Sequence, residues 1–364
     1  MKFADSFLKI MERDKKCIGI IFGGNSNEHD VSISSAKNVF KAFNSETNKK
    51  RFIIKAFYIN KNGVWFDNDQ SLKILLLKND HKNMNKNVIP FQKTFNFLDK
   101  IKLQSVDIWF PVLHGLNGED GAIHGFLKFT QKPIVGSGIL GSALGMDKIL
   151  MKKVFSSLEI PQVNFIAIQN QNLKDKNVRN KLSKEINKKL NFPVFVKPSN
   201  SGSSIGISKV KNPSEISEAL EKAWEIDSRI VVEEGLNARE LECGIIGTSK
   251  LLTSEIGEVS YKTDWYDYKS KYSLNNQIII PAAINPEISK KIREIAIQSC
   301  IALNISGFAR VDFFLEKDSN NIFLNEINTI PGFTSQSMFP MLWKASGLNI
   351  DQLVAKLVDI SLDF

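Results

Sequence analysis

The sequence has few cysteines and no long apolar run, and each of these absences excludes a class of protein. The three cysteines, Cys17, Cys243 and Cys300, lie far apart and form no CxxC pair. Neither a disulfide framework nor a zinc knuckle is indicated, and a reducing compartment fits best. No apolar stretch approaches the roughly 18 residues that span a bilayer, and charges interrupt the apolar positions near the N-terminus. The sequence therefore predicts a soluble, cytoplasmic protein without a membrane partner.

The excess of basic residues does not have the pattern of a nucleic-acid surface. The chain of 364 residues has a formal net charge of +9. Its lysines concentrate in stretches such as "LKNDHKNMNKNV" and "NLKDKNVRNKLSKEINKKL", where acids and amides interrupt them and aromatic residues are missing. Base stacking needs such aromatic side chains, so we expect a solvated lysine-rich surface and no nucleic-acid partner. The charge is compatible with an anionic small-molecule substrate.

The first part of the chain alternates apolar runs with glycine turns and helical patterns. The run "CIGIIFGG" precedes a segment with apolar residues at helical spacing, "VDIWFPVL" leads into "HGLNGEDG", and "KPIVGSG" again stops on glycines. This alternation predicts an α/β fold with a Rossmann-like parallel sheet in a domain of residues 1–135. Ligands of such sheets bind at the carboxyl ends of the strands.

Two further domains follow from a change of pattern near Gly136. The segment "SALGMDKILMKKVFSSL" predicts one helix, and "FPVFVKPSNSGSSIGISKV" predicts two strands joined by a loop. The strand "RIVVEEGL" closes this second domain, at residues 136–232. The third domain, 233–364, contains the helix "PEISKKIREIAIQSCIAL" and two late strands, "GFARVDFFLE" and "IFLNEINTIPG".

The segment "PSNSGSSIGI" combines serine and glycine directly after the lysine of "VFVKP", Lys197. Glycine lets backbone N–H groups approach anionic oxygens, serine adds hydroxyl donors, and the lysine supplies positive charge. The combination suits phosphate binding. It is not the P-loop pattern GxxxxGK[ST], however, and loops of serine and glycine also occur as plain hairpin turns. On this segment alone both interpretations stay open.

The two late strands bring acidic and amide side chains onto shared faces. Alternate residues of a strand share a face, so Arg310 points with Asp312, and Glu326 points with Asn328. If the strands are neighbours, two carboxylates and one carboxamide converge, and such oxygen ligands suit Mg²⁺ beside substrate phosphates. The alternative is a surface ion pair on an ordinary hairpin, although the flanking "FFL" and "IFL" are apolar.

Seven motifs in one order resemble those of a known family. They are "GGNSNEHDVSISSA", "LHGLNGEDGAIHG", "GSGILGSALGMDK", "VKPSNSGSSIG", "YDYKSKY", "GFARVDFF" and "NEINTIPGFTSQSMFP". Together they make the chain similar, over nearly its whole length, to the D-alanine–D-alanine ligases of the ATP-grasp superfamily. The resemblance implies ligation of two D-alanine molecules through an acyl phosphate, for peptidoglycan precursor synthesis. It also implies ATP and two Mg²⁺ ions, or Mn²⁺, as cofactors, and a homodimer.

The resemblance assigns binding roles residue by residue. The ATP-binding residues would be Lys148 and Lys197 at the phosphates, Ser201, Gly202 and Ser204 in the closing loop, Glu233, Glu234 and Leu236 at the adenine, and Glu240 at the ribose. The metal ligands would be Asp312, Glu326 and Asn328, and the residues near the substrate carboxylates His114, Ser337 and Met338. Gly235 stands where members of the family often carry a bulkier side chain. The shape of the adenine pocket therefore does not follow from the resemblance.

The same resemblance implies the catalytic groups. Glu28 would receive the ammonium of the first D-alanine, and Ser203 and Tyr272 would be hydrogen-bonded to it as parts of a lid. Lys271 would touch the γ-phosphate, and Arg310 with the Gly332 N–H would stabilise the tetrahedral intermediate. His29, His81 and His124 are interpreted as structural, as are the three cysteines.

Three other functions remain as alternatives. The nearest is a D-alanine–D-lactate or D-alanine–D-serine ligase of the same fold. A basic nucleic-acid-binding protein has only the net charge in its favour. A module that binds ATP without turnover is disfavoured by Arg310, Lys271 and Asp312.

Overall fold

Three sheets organise the residues that the computed structural model describes, which are 15–76, 105–169, 171–260 and 277–363. The first sheet is parallel, and the other two are antiparallel. None of the helices within these ranges has the length and apolar character needed to cross a membrane. The predicted domain boundaries after residues 135 and 232 stay a prediction.

The first sheet has the strand order β2-β1-β3 and confirms the predicted Rossmann-like parallel sheet. Its strands are β1 (Lys16–Gly23), β2 (Phe52–Ile59) and β3 (Ile108–Val112). The accompanying helices are α1 (His29–Phe43), α2 (Asn68–Leu76) and α3 (Ala122–Lys128). All of β3 is buried, as expected for a parallel strand covered on both faces. Within the ranges given above, the run "KPIVGSG" forms an isolated bridge from Ile134 to Trp109 instead of a strand, and the chain turns away at Gly136, whose φ is +119°.

Two helices stand where the sequence predicted one. They are α4 (Ile139–Met146) and α5 (Lys148–Ser157). Asp147 separates them because its backbone is extended, and its side chain caps α5 by accepting a hydrogen bond from the Leu150 N–H at 3.0 Å. The prediction of a single helix is therefore wrong at this residue, and Lys148 becomes the first residue of α5.

The second sheet is antiparallel, with the order β4-β7-β5-β6. Its strands are β4 (Phe165–Ile168), β5 (Val194–Pro198), β6 (Ser208–Val210) and β7 (Ile230–Glu234). Helices α6 (Lys176–Lys189) and α7 (Ile216–Trp224) share its apolar core. The predicted pair of strands around the serine-rich segment is confirmed, because β5 and β6 pair directly.

The third sheet is antiparallel, with the order β10-β9-β8-β11-β12. Its strands are β8 (Ala238–Gly247), β9 (Leu251–Ser260), β10 (Gln277–Ile279), β11 (Gly307–Glu316) and β12 (Ile322–Asn328). Helix α8 (Pro286–Ala302) covers it, and α9 (Met338–Ala345) and α10 (Ile350–Leu362) follow. Residues of α9 and α10 share a core with the first sheet, so the end of the chain packs back onto its beginning.

The third sheet has one apolar and one charged face at its centre. Residues such as Leu241, Val311 and Ile327 alternate onto the side packed in the core. The residues between them therefore face the other way. On that opposite face the register places Asp312 between Glu242 of β8 and Glu326 of β12.

Candidate active site

The glycine turn after β1 positions Glu28 at the carboxyl edge of the first sheet. Gly23 and Gly24 have φ values of +93° and +86°, a left-handed conformation that favours glycine. Beyond this turn, Ser32 of α1 accepts a hydrogen bond from the Gly23 N–H at 2.8 Å and donates to the Val112 carbonyl of β3. The first turn of α1 is thereby fixed against two strand ends, with Glu28 immediately before the helix.

His114 connects this edge to the loop that follows β12. The residue is buried, and its ring nitrogens contact the Ile330 carbonyl at 2.9 Å and the Ser35 hydroxyl at 3.0 Å. The Ser35 hydroxyl also accepts from the Phe333 N–H at 3.1 Å. His114 therefore holds the Ile330–Phe333 segment, which contains Gly332. Its predicted place near a substrate carboxylate stays a prediction.

The loop between β5 and β6, residues 199–207, contacts both a cation and a carboxylate. Its Ser201 carbonyl accepts from the Lys148 ammonium at 2.8 Å, and its Ser203 hydroxyl donates to Glu28. The Ser203–Glu28 hydrogen bond that the family resemblance implied is thus present. A side chain at Gly202 would lie 3.1 Å from a Glu28 carboxylate oxygen, so glycine allows the close approach. Ser203 and Ser204 both have positive φ, of 50° and 59°.

A buried network ties the base of this loop to α5. Asp147 accepts from the Ser199 hydroxyl at 2.8 Å and from Arg229. The Lys148 N–H in turn donates to the Ser199 carbonyl at 3.1 Å. This network fixes the start of α5 relative to the end of β5, and therefore fixes Lys148 relative to Lys197.

Lys197 is paired with an acid in the described structure. Its ammonium lies 2.9 Å from the Glu233 carboxylate, and a second lysine, Lys152, lies 3.4 Å from the other carboxylate oxygen. Burial raises the pKa of Glu233, but the two lysines outweigh it and hold that pKa below its usual range. Burial likewise lowers the pKa of Lys197, and Glu233 overcomes this and raises it. Glu233 is therefore a buried, ionised group between two cations.

The other predicted adenine residues divide between the two sides of β7. The Glu234 side chain points away from Glu233 and accepts from the Asn191 N–H at 2.7 Å and from the Asn164 amide at 2.9 Å. Leu236 is half-buried just beyond the strand. At Gly235 a side chain would lie 2.9 Å from both the Phe195 ring and the Pro193 carbonyl. The departure at Gly235 thus has a local cause, because Phe195 already fills the space.

The charged face of the third sheet collects the predicted catalytic and metal residues. Arg310 donates two hydrogen bonds of 2.7 Å to Asp312, and its guanidinium lies 2.9 Å from Glu242. Burial lowers the pKa of Arg310, but Asp312 and Glu242 outweigh it and raise it above its usual range. The Asn328 amide donates to Asp312 at 2.9 Å. Neighbouring strands therefore bring these groups together, as the sequence predicted.

Glu326 joins this face to α5, and its oxygens complete a donor set that fits magnesium. The Glu326 carboxylate lies 3.2 Å from the Lys148 ammonium. Within the described ranges no group of three or more His, Cys, Asp or Glu side chains is arranged to hold a metal ion. The present set has only two such side chains, Asp312 and Glu326, and its third member is the amide Asn328. Two carboxylates and one carboxamide on adjacent strands fit Mg²⁺, which binds to few protein oxygens when phosphates supply the rest.

The loop after β12 brings Gly332 and Ser337 into contact. A side chain at Gly332 would lie 2.7 Å from the Ser337 hydroxyl, which accepts from the Thr334 N–H at 3.0 Å. Ser337 directly precedes α9, where a carboxylate is favoured by the helix dipole. Met338 is buried, with its sulfur close to Gly257 of β9, so its side chain is directed into the core.

Lys271, Tyr272 and His81 lie outside the described residues. Glu240 lies on the same face of β8 as Glu242 and contributes to the electrostatics of Lys197. His29 is buried and hydrogen-bonded to the Gly24 carbonyl and the Tyr58 hydroxyl, which confirms its structural role.

Comparison with known proteins gives the same assignment from both halves of the chain. Residues 17–137 match the model "D-ala D-ala ligase N-terminus", and residues 154–359 match "D-ala D-ala ligase C-terminus". The chain belongs to the D-alanine–D-alanine ligase family. It is 73% identical, over 97% of its length and 100% of the relative, to the D-alanine–D-alanine ligase of Prochlorococcus marinus subsp. pastoris.

Solved structures of ligases confirm the ATP-grasp fold. The D-alanine–D-alanine ligase of Coxiella burnetii is 31% identical with a TM-score of 0.81, covering 96% of this chain and 94% of that one. The VanG D-Ala:D-Ser ligase of Enterococcus faecalis is 37% identical with a TM-score of 0.81, covering 95% and 99%. The fold is thus shared between ligases whose named second substrates differ.

Two residues of the candidate site, Lys152 and Glu242, were not predicted from the sequence. Lys152 follows Lys148 by four positions, so both lie on one face of α5. Glu242 follows Glu240 by two positions on one face of β8. These spacings were visible signals, but their importance depends on which elements pack against them. That information comes only from tertiary structure.

Proposed function

We propose that this chain joins two D-alanine molecules into D-alanyl-D-alanine with ATP, for peptidoglycan precursor synthesis. One observation carries the proposal: the loop of residues 199–207 contacts the Lys148 ammonium and, two residues later, the Glu28 carboxylate. The cation suits a nucleotide phosphate, and the carboxylate suits the ammonium of an amino acid. The membership of the ligase family and the 73% identity to a D-alanine–D-alanine ligase support the choice of substrates.

In the proposed first step the carboxylate of one D-alanine attacks the γ-phosphorus of ATP. The oxygen–phosphorus bond to ADP breaks, and an acyl phosphate forms. Lys148 and Lys197 hold phosphate oxygens, and Glu28 holds the D-alanine ammonium. The loop covers this arrangement and excludes water, which would hydrolyse the acyl phosphate. Glu233 and Leu236 would border the adenine and Glu240 the ribose, with Glu234 contributing through its main chain.

In the second step the amine of another D-alanine, having lost a proton, attacks the acyl carbon. The carbon–oxygen bond to the phosphate then breaks, the nitrogen gives up its second proton to the leaving phosphate, and the amide bond is formed. Arg310 and the Gly332 N–H stabilise the negative charge of the tetrahedral intermediate, and Ser337 at the start of α9 holds the carboxylate of the incoming D-alanine. We further propose, from the family resemblance, that Lys271 contacts the γ-phosphate and that Tyr272 is part of the lid.

Asp312, Glu326 and Asn328 would hold Mg²⁺, or Mn²⁺, beside the phosphates. The metal would neutralise phosphate charge as the γ-phosphoryl group is transferred. Arg310 then exchanges part of its pairing with Asp312 for substrate oxygens. We also propose that the protein acts in the cytoplasm as a homodimer, with small molecules as its substrates.

The deciding experiment measures ADP and phosphate release by the purified protein with Mg²⁺ and ATP. D-alanine, L-alanine, D-serine and D-lactate are offered singly and in pairs, and products are identified by mass. We expect appreciable ATP hydrolysis only with D-alanine, and D-alanyl-D-alanine as product. A preference for D-serine or D-lactate as second substrate would favour the alternative ligases, and no turnover with any of them would refute the proposal.

A further inference from the structure

Lys152 is a buried ammonium that the proposed chemistry does not use. It lies on α5 one turn after Lys148, is 1% exposed, and has no hydrogen-bond partner among the residues that the structure describes. In the described part of the chain it forms an ion pair with Glu233 at 3.4 Å, and the ammonium lies 5.3 Å from the centre of the Phe165 ring. A charge at this depth is costly unless it is compensated, so its position calls for an explanation.

The partner of Lys152 is shared with a lysine that ATP would engage. Glu233 contacts Lys197 at 2.9 Å on one carboxylate oxygen and Lys152 on the other. Any movement of the Lys197 ammonium towards a phosphate weakens its hold on Glu233. A buried carboxylate is strongly destabilised when its nearest counter-charge turns away, unless a second cation stays in contact with it. Lys152 prevents that outcome here.

We propose that Lys152 is a positioning residue for nucleotide binding, which keeps Glu233 charge-balanced so that the Lys197 ammonium can turn to the ATP phosphates. The inference rests on the proposed ATP site. Burial lowers the pKa of Lys152 while Glu233 opposes that effect, which is consistent with Lys197 as the stronger partner of Glu233 before ATP binds. Lys152 does not touch the nucleotide and acts through Glu233.

A purely structural lysine would give a different pattern of effects. It would change the stability of the fold and leave the affinity for ATP unchanged. Its effect would also not depend on the charge of Glu233. The two roles are therefore separated by measuring the KM for ATP, the KM for D-alanine and kcat in a double-mutant cycle.

The cycle compares Lys152→Met, Glu233→Gln and the double variant with the unmodified protein. Methionine keeps the length of the side chain and removes its charge. Lys153→Met is the matched control, because Lys153 is the adjacent lysine of α5 and is exposed. Circular dichroism and thermal melting report on folding, and equilibrium titration with ADP reports on nucleotide affinity without turnover.

We expect Lys152→Met to raise the KM for ATP and the Kd for ADP about tenfold or more, with the KM for D-alanine and kcat within about threefold. In the Glu233→Gln background the same change should alter both nucleotide constants by less than about threefold, because the buried carboxylate is gone. Lys153→Met should match the unmodified protein. An unchanged KM for ATP in Lys152→Met, or equal effects in both backgrounds, would overturn the inference.

Misfolding of Lys152→Met leaves the inference testable through the double variant. Lys152→Met with Glu233→Gln removes both charges together, so it should fold and bind ADP within about threefold of Glu233→Gln. A double variant that is unfolded or binds ADP far more weakly contradicts the inference. If the unmodified protein released no ADP with D-alanine, the proposed function would fail. The ADP titrations would still decide the role of Lys152.

Discussion

The second and third sheets each contain a buried charge cluster, and the two clusters are opposite in sign. At the second sheet one acid, Glu233 of β7, lies between Lys197 of β5 and Lys152 of the adjacent helix α5, which gives a formal excess of one positive charge. In the third sheet one cation, Arg310, lies between the acids Asp312 and Glu242, which gives an excess of one negative charge. We call these the cationic cluster and the anionic cluster.

The difference supports the proposal that nucleotide phosphate binds beside the second sheet and metal beside the third. A cluster with a spare cation is completed by an anion such as a nucleotide phosphate. A cluster with a spare anion is completed by a metal cation. The ion pair of Lys148 with Glu326 at 3.2 Å lies between the two clusters, where phosphate and metal would meet. The excess charge of each cluster is thus opposite in sign to one component of MgATP, the phosphates for the cationic cluster and the metal for the anionic cluster.

The largest effect is expected where the anionic cluster loses its excess charge. Asp312→Asn keeps the shape of the side chain, and leaves Arg310 neutralised by Glu242 alone. Without the extra carboxylate the metal would be bound poorly, so kcat/KM should fall by about a thousandfold or more. ADP release measures the loss, and circular dichroism checks the fold. Asp318→Asn, at an exposed position beyond β11, is the control. Activity within tenfold of the unmodified protein would make the cluster structural.

His124 differs from both clusters because it is a buried ionisable group that has no counter-charge at hydrogen-bond distance in the described part of the chain. Neither ring nitrogen has a hydrogen-bond partner among the described residues, and burial lowers its pKa to about 4 from 6.5. The folded state therefore prefers neutral His124. Its contribution to stability is complete above pH 6.5 and is lost as the pH falls towards 4, by about 3 kcal/mol in the free energy of unfolding.

His124→Leu tests this by removing the titrating ring from a buried site. Denaturant unfolding of both proteins between pH 7.5 and pH 4 gives the two stability curves. The free energy of unfolding of the unmodified protein, minus that of His124→Leu, should decrease as the pH falls. The reason is that only the unmodified protein takes up a proton at position 124 when it unfolds. Curves that stay parallel over this range would show that His124 is already charged in the fold.

A smaller effect is expected at the contact that links the nucleotide side to the amino-acid side. Ser203→Ala removes the hydrogen bond to Glu28 but leaves Lys148 and Ser201 in contact. A hydrogen bond to a charged group contributes about 1.5–3 kcal/mol, so the KM for D-alanine should rise at least about tenfold. The KM for ATP should change little. Ser214→Ala, at an exposed position, is the control, and an increase confined to the KM for ATP would contradict the assignment.

Local patterns were enough to predict much of this arrangement. The alternation in "GFARVDFF" and "FLNEIN" placed Arg310 with Asp312 and Glu326 with Asn328, and the structure pairs those strands directly. The glycine turn before Glu28 and the hairpin that begins at Lys197 were predicted in the same way. These features depend on the period of one strand or turn, which a short segment of sequence determines.

The features that were missed depend on contacts between distant segments. Asp147 breaks the predicted single helix because Ser199 and Arg229, far along the chain, bind its carboxylate. Lys152 looks like an ordinary surface lysine until β7 places Glu233 beside it. The run around Ile134 looks like a strand, but among the described residues it forms an isolated bridge to Trp109. No local pattern contains such long-range partners.

The most direct test of the two-cluster account is a calorimetric titration with ADP, first without metal and then with Mg²⁺. Three proteins are compared: the unmodified chain, Lys197→Met, which neutralises the cationic cluster, and Glu242→Gln, which neutralises the anionic one. Metal-free ADP should bind about tenfold or more weakly to Lys197→Met and within about threefold of normal to Glu242→Gln. Added Mg²⁺ should strengthen ADP binding to the unmodified chain and to Lys197→Met, but much less to Glu242→Gln. Equal losses in both variants without metal, or a full Mg²⁺ effect in Glu242→Gln, would contradict the assignment of phosphate to one cluster and metal to the other.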